Sequence, residues 1–179
     1  MRAELTLSPA SVELWRKLAE VAQQIGKFDE AIEAAQTASR MLPDPDTARL
    51  LARLYSQRGD DIERVRAQVA EAARVSGTTP DERPLALALA RALVHAERAR
   101  LPEGLTLLQG LWETRDAELR PEEFVEIGSL YGLALCRRAE PADRITASNV
   151  LKEVAPLVTD PLRRSVLVAM ASMSRYLGL

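Results

Sequence analysis

The chain has 179 residues, which is enough to bury one hydrophobic core but too few for two domains of ordinary size. Its 24 basic and 26 acidic residues give a formal net charge of −2, so no overall excess of positive charge favours nucleic acid or anionic lipid. Cys136 is the only cysteine, which excludes an intramolecular disulfide framework, and we therefore expect a reducing, cytoplasmic environment.

Prolines divide the chain at nearly regular intervals. Proline at the first helical position has its φ already fixed and gives up only an amide that would be unpaired, so proline after a capping residue predicts a helix start. The starts predicted in this way, about 35 to 41 residues apart, are Pro9, Pro45, Pro80, Pro121 and Pro161. Each interval therefore has the length of one pair of helices.

Each interval contains two helical periods separated by a breaker. The breakers are Gly26, Gly59, Pro102 and Pro141 with their neighbours. In the first helix, apolar residues recur at spacings of three and four, as an amphipathic helix requires. Short connections favour antiparallel neighbours, and the recurrence favours stacking of the pairs in one direction. An irregular helical bundle is the alternative.

The first pair carries a motif that extends over both helices. Small Ala19 and Ala31 stand where two helices would cross closely, and the large Trp15, Leu18 and Phe28 would fill the space beside them. With these residues the sequence resembles the tetratricopeptide repeat family. The full set of matching positions is Trp15, Leu18, Ala19, Ala22, Gly26, Phe28, Ala31, Ala35, Ala38 and Pro43, and the fourth pair matches again at Phe124, Ile127, Gly128 and Tyr131.

The resemblance implies one domain over residues 1–179. Its fold would be an all-α, right-handed superhelical solenoid of about four antiparallel helix pairs plus a C-terminal capping helix. The repeats are predicted at residues 9–43, 45–76, 80–115 and 121–157, and the last helix at 160–178. The second and third pairs depart from the pattern, for example at Asp61, where an aromatic residue is expected.

The sequence offers no pattern typical of catalysis. His95 and Cys136 are the only histidine and the only cysteine, they are about forty residues apart, and no active-site motif links them. We expect a hydrogen-bonded, partly buried or groove-edge imidazole and a buried thiol that acts as a small hydrophobe. The sequence therefore predicts no enzyme, no cofactor and no metal site.

The family resemblance implies a groove lined by the polar face of each first helix. A cluster of arginines in such a groove would suit carboxylates, because guanidinium binds a carboxylate in bidentate fashion. The alternative is that these arginines are solvated and paired with nearby acids, which contributes little. The candidate peptide-binding residues are Arg16, Glu20, Gln23, Arg49, Arg53, Gln57, Arg91 and His95.

The last predicted helix is apolar on more than one stripe, whereas a plain capping helix has a polar outer face. The helix is expected either to pack against further protein, such as a dimer mate, or to expose its small residues. The candidate self-association residues are Leu162, Val166, Met170, Met173 and Leu177.

These features predict a protein-interaction module that binds a peptide or helix of a partner protein in its groove. The partner would be a protein or peptide, with an acidic segment as one option. The alternative is a self-assembling scaffold or a regulatory segment of a larger complex, associating through the last helix, with a homodimer as one form. We expect no nucleic acid, since stacking aromatic residues and positive balance are lacking, and no membrane association.

Overall fold

The computed structural model describes residues 11–76, 82–115 and 119–176. Those residues form nine α-helices and two short 3₁₀ turns, with no strand among them. The helices are α1 (Val12–Gln24), α2 (Phe28–Met41), α3 (Pro45–Arg58), α4 (Ile62–Ser76), α5 (Glu82–His95), α6 (Leu101–Glu113), α7 (Pro121–Arg138), α8 (Pro141–Val154) and α9 (Pro161–Tyr176). Consecutive helices pack as neighbouring pairs, including α1 with α2, α3 with α4, and α7 with α8. The all-α class is thereby confirmed.

Prolines begin four of these helices, as the sequence indicated. Helices α3, α7, α8 and α9 start at Pro45, Pro121, Pro141 and Pro161. Asp44 caps α3 by accepting hydrogen bonds from the amides of Asp46 and Thr47 at 2.9 and 3.0 Å. The starts predicted at Pro9 and Pro80 lie outside the described residues, and α1 begins at Val12 with Ser11 as its cap.

Three helix ends require a left-handed backbone conformation. Gly26 and Gly59, which follow α1 and α3, have φ angles of 75° and 83°. Glycine adopts this region without steric cost, which explains why the sequence ends these helices with glycine. Ala139 ends α7 with a φ of 61° and is the one non-glycine residue with positive φ in the described part of the chain.

The chain divides into two compact units, with the boundary after Ala92 inside α5. The first unit has a core of small and branched residues, among them the fully buried Ala19, Ala31 and Leu54. Trp15 and Phe28 are among the larger side chains that pack against it. Alanine at the contacts lets neighbouring helices approach closely, and the larger side chains fill the space alongside.

The second unit, from Leu93 onward, is built around Trp112. The Trp112 ring lies 5.2 Å from that of Phe124 and 6.4 Å from that of Tyr131, measured between centroids. Burial is the main reason that the pKa of Tyr131 is raised. Helix α7 also presents Gly128 and Gly132 to the side chains of α8, so α7 and α8 approach with almost no space between them.

Candidate functional site

A network of polar side chains joins α1 to α3 in the first unit. Arg16 on α1 donates to the Asp44 carboxylate at 3.1 Å and to Glu13 at 2.5 Å. The hydrogen bond from Arg16 lowers the pKa of Glu13, and the same bond raises the pKa of Arg16, with a further contribution from Asp44. Asp44 therefore serves two purposes, because it caps α3 and also holds an arginine of α1.

The network continues along the same two helices. The Gln23 side-chain amide donates to Gln57 Oε1 at 2.5 Å, and Arg53 Nη2 donates to Gln23 Oε1 at 3.0 Å. These hydrogen bonds connect the last turn of α1 with the last two turns of α3, and they lie at the surface. Exposed amide and guanidinium groups can exchange such bonds for bonds to a peptide at little net cost.

Two arginines of this surface share one carboxylate of the chain itself. Asp46 accepts a hydrogen bond from Arg49 at 2.6 Å and lies 3.7 Å from an Arg16 nitrogen. The Asp46 side chain is 69% exposed, so it can be displaced from this position. Arg49 Nε is buried without a hydrogen-bond partner, whereas Nη1 of the same guanidinium donates to Asp46.

Five of the eight predicted groove residues form this network. The five are Arg16, Gln23, Arg49, Arg53 and Gln57. Glu20 is exposed on α1 between Arg16 and Gln23, and Arg91 is half-buried on α5. His95 ends α5, is exposed, and belongs to the second unit, so of its two expected positions the partly buried one does not apply and the groove-edge one stays a prediction.

The acids that balance these arginines were not predicted from the sequence. Asp46 stands three residues before Arg49, a spacing that brings two side chains together on a helix, and this signal was available in the sequence. Asp44 directly precedes Pro45, which marks it in the sequence as a helix cap but does not identify it as the partner of Arg16. The alternative in which the arginines pair with nearby acids therefore describes Arg16 and Arg49, with Glu13, Asp44 and Asp46 as those acids.

The second candidate surface is α9 in the second unit. Leu167, Ala171 and Ser174 face inward, with 6%, 1% and 8% of their surface exposed. On the other side, the exposed fractions of Leu162, Val166 and Met173 are 76%, 51% and 60%. Met170 is half-buried, and Leu177 lies outside the described residues. Helix α9 thus has two apolar sides. One is buried against the chain, and the other is exposed in the described structure.

A pocket of about 230 Å³ lies among α7, α8 and α9. It is lined mainly by apolar groups, from Leu135, Cys136, Ala139, Arg144, Ala147, Met170, Met173 and Ser174. The Cys136 sulfur is 3.1 Å from the Ser174 hydroxyl oxygen. Cys136 is half-buried at this pocket, so its thiol is less buried than the sequence predicted.

Among the described residues, no group of three or more His, Cys, Asp or Glu side chains could hold a metal ion. A membrane-spanning helix is also absent from that part of the chain, since none there is both long and apolar enough. No protein-family model matches the sequence, and a search of curated proteins gives no significant match.

Proposed function

We propose that this chain is a tetratricopeptide-like helical repeat whose function is to bind another protein and not to catalyse a reaction. The observation that carries the proposal is the exposed polar network between α1 and α3, the first helices of the first two predicted repeats. In a right-handed superhelical solenoid the first helices line the groove, so adjacent first helices with polar contact faces fit that architecture. The lone Cys136 favours the cytoplasm.

The ligand in this proposal is an extended peptide or a helix of a partner protein. Gln23, Gln57 and Arg53 supply exposed hydrogen-bond donors and acceptors for a peptide backbone. A carboxylate of the partner would replace Asp46 beside Arg49, since Asp46 is largely exposed. The charges of Arg16 and Arg49 are already balanced by acids, so an acidic partner gains specificity and orientation from this exchange more than affinity.

The test compares partners captured by the wild type and by an Arg49→Glu/Arg53→Glu variant. A matched control is Arg66→Glu/Arg74→Glu on α4, which makes the same change in charge at two arginines outside the groove, each paired with a glutamate three residues earlier. We expect quantitative mass spectrometry to find a partner that the first variant loses and the control keeps. If both variants retain every partner equally, the groove does not bind protein.

An additional variant tests the role proposed for Asp46. Asp46→Asn removes the negative charge that Arg16 and Arg49 share, and it leaves an amide of the same size. We expect an acidic partner to bind more tightly to this variant, because the partner's carboxylate no longer has to displace the carboxylate of Asp46. Weaker binding would mean that Asp46 itself contacts the partner.

A second candidate function is a scaffold that associates with copies of itself or with the rest of a complex through α9. The specific observation in its favour is the exposed apolar side of α9, at Leu162, Val166 and Met173. Sedimentation equilibrium of the wild type and of a Val166→Glu variant tests self-association. If both are monomers at high micromolar concentration, self-association is ruled out. Association of α9 with other proteins of a complex then remains.

A further inference from the structure

We propose that α9 is an exchangeable helix, which leaves the face of α7 and α8 that it covers and docks in the same way on that face of a second copy of the chain. This exchange rests on the second candidate function, because it explains how α9 joins two copies. The contact between the copies is the buried side of α9, so the exposed side chains of Val166 and Met173 take no part in it.

Helix α9 is held on the second unit by a narrow strip of side chains. In the described part of α9 the buried residues are Leu167, Ala171 and Ser174, and only Leu167 among them is large. Helix α8, in contrast, buries Leu151 and Val154 against the glycines of α7. Less apolar surface is therefore exposed to water when α9 leaves than when α8 leaves.

A hydroxyl group beneath α9 lacks a hydrogen bond. Ser148 on α8 is 2% exposed, and its Oγ has no hydrogen-bond partner. It stands four residues after Arg144 and seven before Ala155, which line the two pockets that α9 borders, so Ser148 lies on the side of α8 that faces α9. Water reaches this hydroxyl once α9 leaves, so its missing hydrogen bond favours the released state.

A second hydroxyl without a partner lies on the side of α7 that faces α9. Ser129 is 8% exposed, and its Oγ has no hydrogen-bond partner either. Ser129 precedes Cys136 by about two helical turns, which places both on one side of α7. That side faces α9, because Cys136 Sγ lies 3.1 Å from Ser174 Oγ. The cover that α9 provides therefore leaves two buried hydroxyls unsatisfied.

Packing is also incomplete along both edges of α9. The pocket of about 230 Å³ lies beside Met170 and Met173, and a pocket of about 240 Å³ lies beside Val168 and Ala171. Side chains that line such spaces lack the contacts that fill a well-packed core. Open edges and unpaired hydroxyls together indicate that α9 leaves more readily than the other helices of this unit.

The turn between α8 and α9 is short and has apolar side chains on its surface. Only Val158–Asp160 separates the 3₁₀ turn Ala155–Leu157 from the start of α9. Short hinges favour exchange of an element between copies. Leu157 and Leu162, on either side of this hinge, are 51% and 76% exposed, and Leu162 is the most exposed large apolar side chain in the described part of the chain.

These two leucines indicate a second copy as the source of the exchanged helix. When two chains exchange a terminal helix, both hinges cross between the copies and lie side by side at the twofold axis. Leu157 and Leu162 of both copies would then bury one another, which the monomer does not allow. A helix of another protein would bring no such hinge, whereas a second copy also offers an identical face of α7 and α8.

Arg164 opposes the release of α9. Its Nε and Nη2 donate to the Val158 carbonyl oxygen at 2.8 and 2.6 Å, which holds the turn closed. Arg164→Gln removes both hydrogen bonds at an exposed position and should therefore speed the exchange by about fivefold or more.

The experiment uses the full chain with Ser174→Cys, because Cys136 is the only cysteine and Ser174 lies beside it. Oxidation would link positions 136 and 174 within one chain in the monomer and between two chains in the exchanged dimer. The reduced protein is incubated at low or high micromolar concentration and oxidised rapidly, and non-reducing electrophoresis and mass spectrometry identify the links. We expect at least about tenfold more linked dimer after the concentrated incubation. The wild type, oxidised in parallel, should give none.

Further substitutions in the same background test the hinge and the unpaired hydroxyl. Leu157→Gln/Leu162→Gln removes the contact between hinges and should lower the fraction of linked dimer by about fivefold or more. Ser148→Ala should slow dimer formation by about tenfold, because it removes the hydroxyl that favours release. The control is Ser56→Ala in the first unit, since Ser56 is also 2% exposed but donates to the Arg53 carbonyl at 2.8 Å. Circular dichroism checks that each variant is folded.

Four results would overturn the exchange: links only within chains at every concentration, a dimer linked between the two copies of Cys136, a linked dimer that Leu157→Gln/Leu162→Gln leaves unchanged, or one that Val166→Glu abolishes. Links only within chains, together with a dimer in sedimentation that Val166→Glu dissociates, would show association through the exposed side of α9. Failure of the exchange is therefore distinguishable from failure of the second candidate function.

Discussion

Replacing Gly128 with alanine tests whether close packing of α7 on α8 holds the second unit together. A Cβ atom at Gly128 would lie 2.3 Å from Val154 Cγ1 and 2.8 Å from Trp112 Cζ3. Carbon atoms in contact prefer about 3.5 to 4.0 Å, so both distances are too short by about an ångström. Val154 is fully buried, and Trp112 is confined between its aromatic neighbours, so neither can move away freely.

The size of the effect follows from two opposing contributions. Inserting a methyl group into a packed core costs about 1 to 3 kcal/mol, and alanine is favoured over glycine inside a helix by about 0.5 to 1 kcal/mol. We therefore expect Gly128→Ala to lower the free energy of unfolding by about 1 to 2 kcal/mol. Gly110 is a matched control, because no atom lies within 4 Å of a Cβ built there. Gly110→Ala should raise the free energy of unfolding by the helix contribution alone.

Urea denaturation followed by tryptophan fluorescence measures these differences. Trp15 and Trp112 are the two tryptophans, one in each unit, so a Trp15→Phe background leaves a signal from the second unit only. In that background the two alanine variants should shift the urea midpoint in opposite directions. If Gly128→Ala stabilises the chain as much as Gly110→Ala does, α7 and α8 are not in the close contact described above.

Asp60 and Ala139 allow two further predictions. Arg58 holds the half-exposed turn after α3 by two hydrogen bonds to Asp60, which lower the pKa of this carboxyl below its ordinary value of 3.8. Because folding lowers the pKa of Asp60, its ionised carboxylate stabilises the fold at pH values above 3.8, and this stability is lost as the pH falls through the folded-state pKa. Asp60→Asn should therefore destabilise the chain by about 1 to 2 kcal/mol at pH 7. The difference from wild type should shrink below about pH 4 in thermal denaturation, and an unchanged difference at pH 2 to 3 would refute the role of this charge. Ala139→Gly should raise the free energy of unfolding by about 0.5 to 1 kcal/mol. A φ of 61° strains alanine by about 1 to 2 kcal/mol, and this gain from removing the strain exceeds the entropy that glycine adds to the unfolded chain. Urea denaturation checks the sign, and a destabilised variant would contradict it.

Helix existence and the starts of four of the nine described helices could be predicted from the sequence because the signals are local. A proline after a capping residue fixes the first turn by itself, as Asp44 and Pro45 do for α3. Glycine ends α1 and α3 for an equally local reason, the cost of a left-handed backbone. Such local signals do not cover every helix end. The sequence around Ala139 gives no sign that this alanine takes the left-handed conformation at the end of α7.

The candidate site was predicted less completely, because its charges depend on contacts between helices. The sequence indicated that Arg16 and Arg49 share a surface, but it did not indicate that Asp46 lies between them. The three-residue spacing pairs Asp46 with Arg49, but the approach of Asp46 to Arg16 follows from the way α3 packs beside α1. The boundary between two compact units inside α5 was likewise invisible, because α5 is one continuous helix in the sequence pattern.

Charge compensation between α1 and α3 limits what an acidic ligand gains from the groove. Between α1 and α3, the arginines pair with acids of the same surface, so an incoming carboxylate must displace one of them. The groove therefore selects a ligand by hydrogen-bond geometry more than by electrostatic attraction, and its exposed side-chain bonds at Gln23, Arg53 and Gln57 are the ones that a peptide backbone would replace.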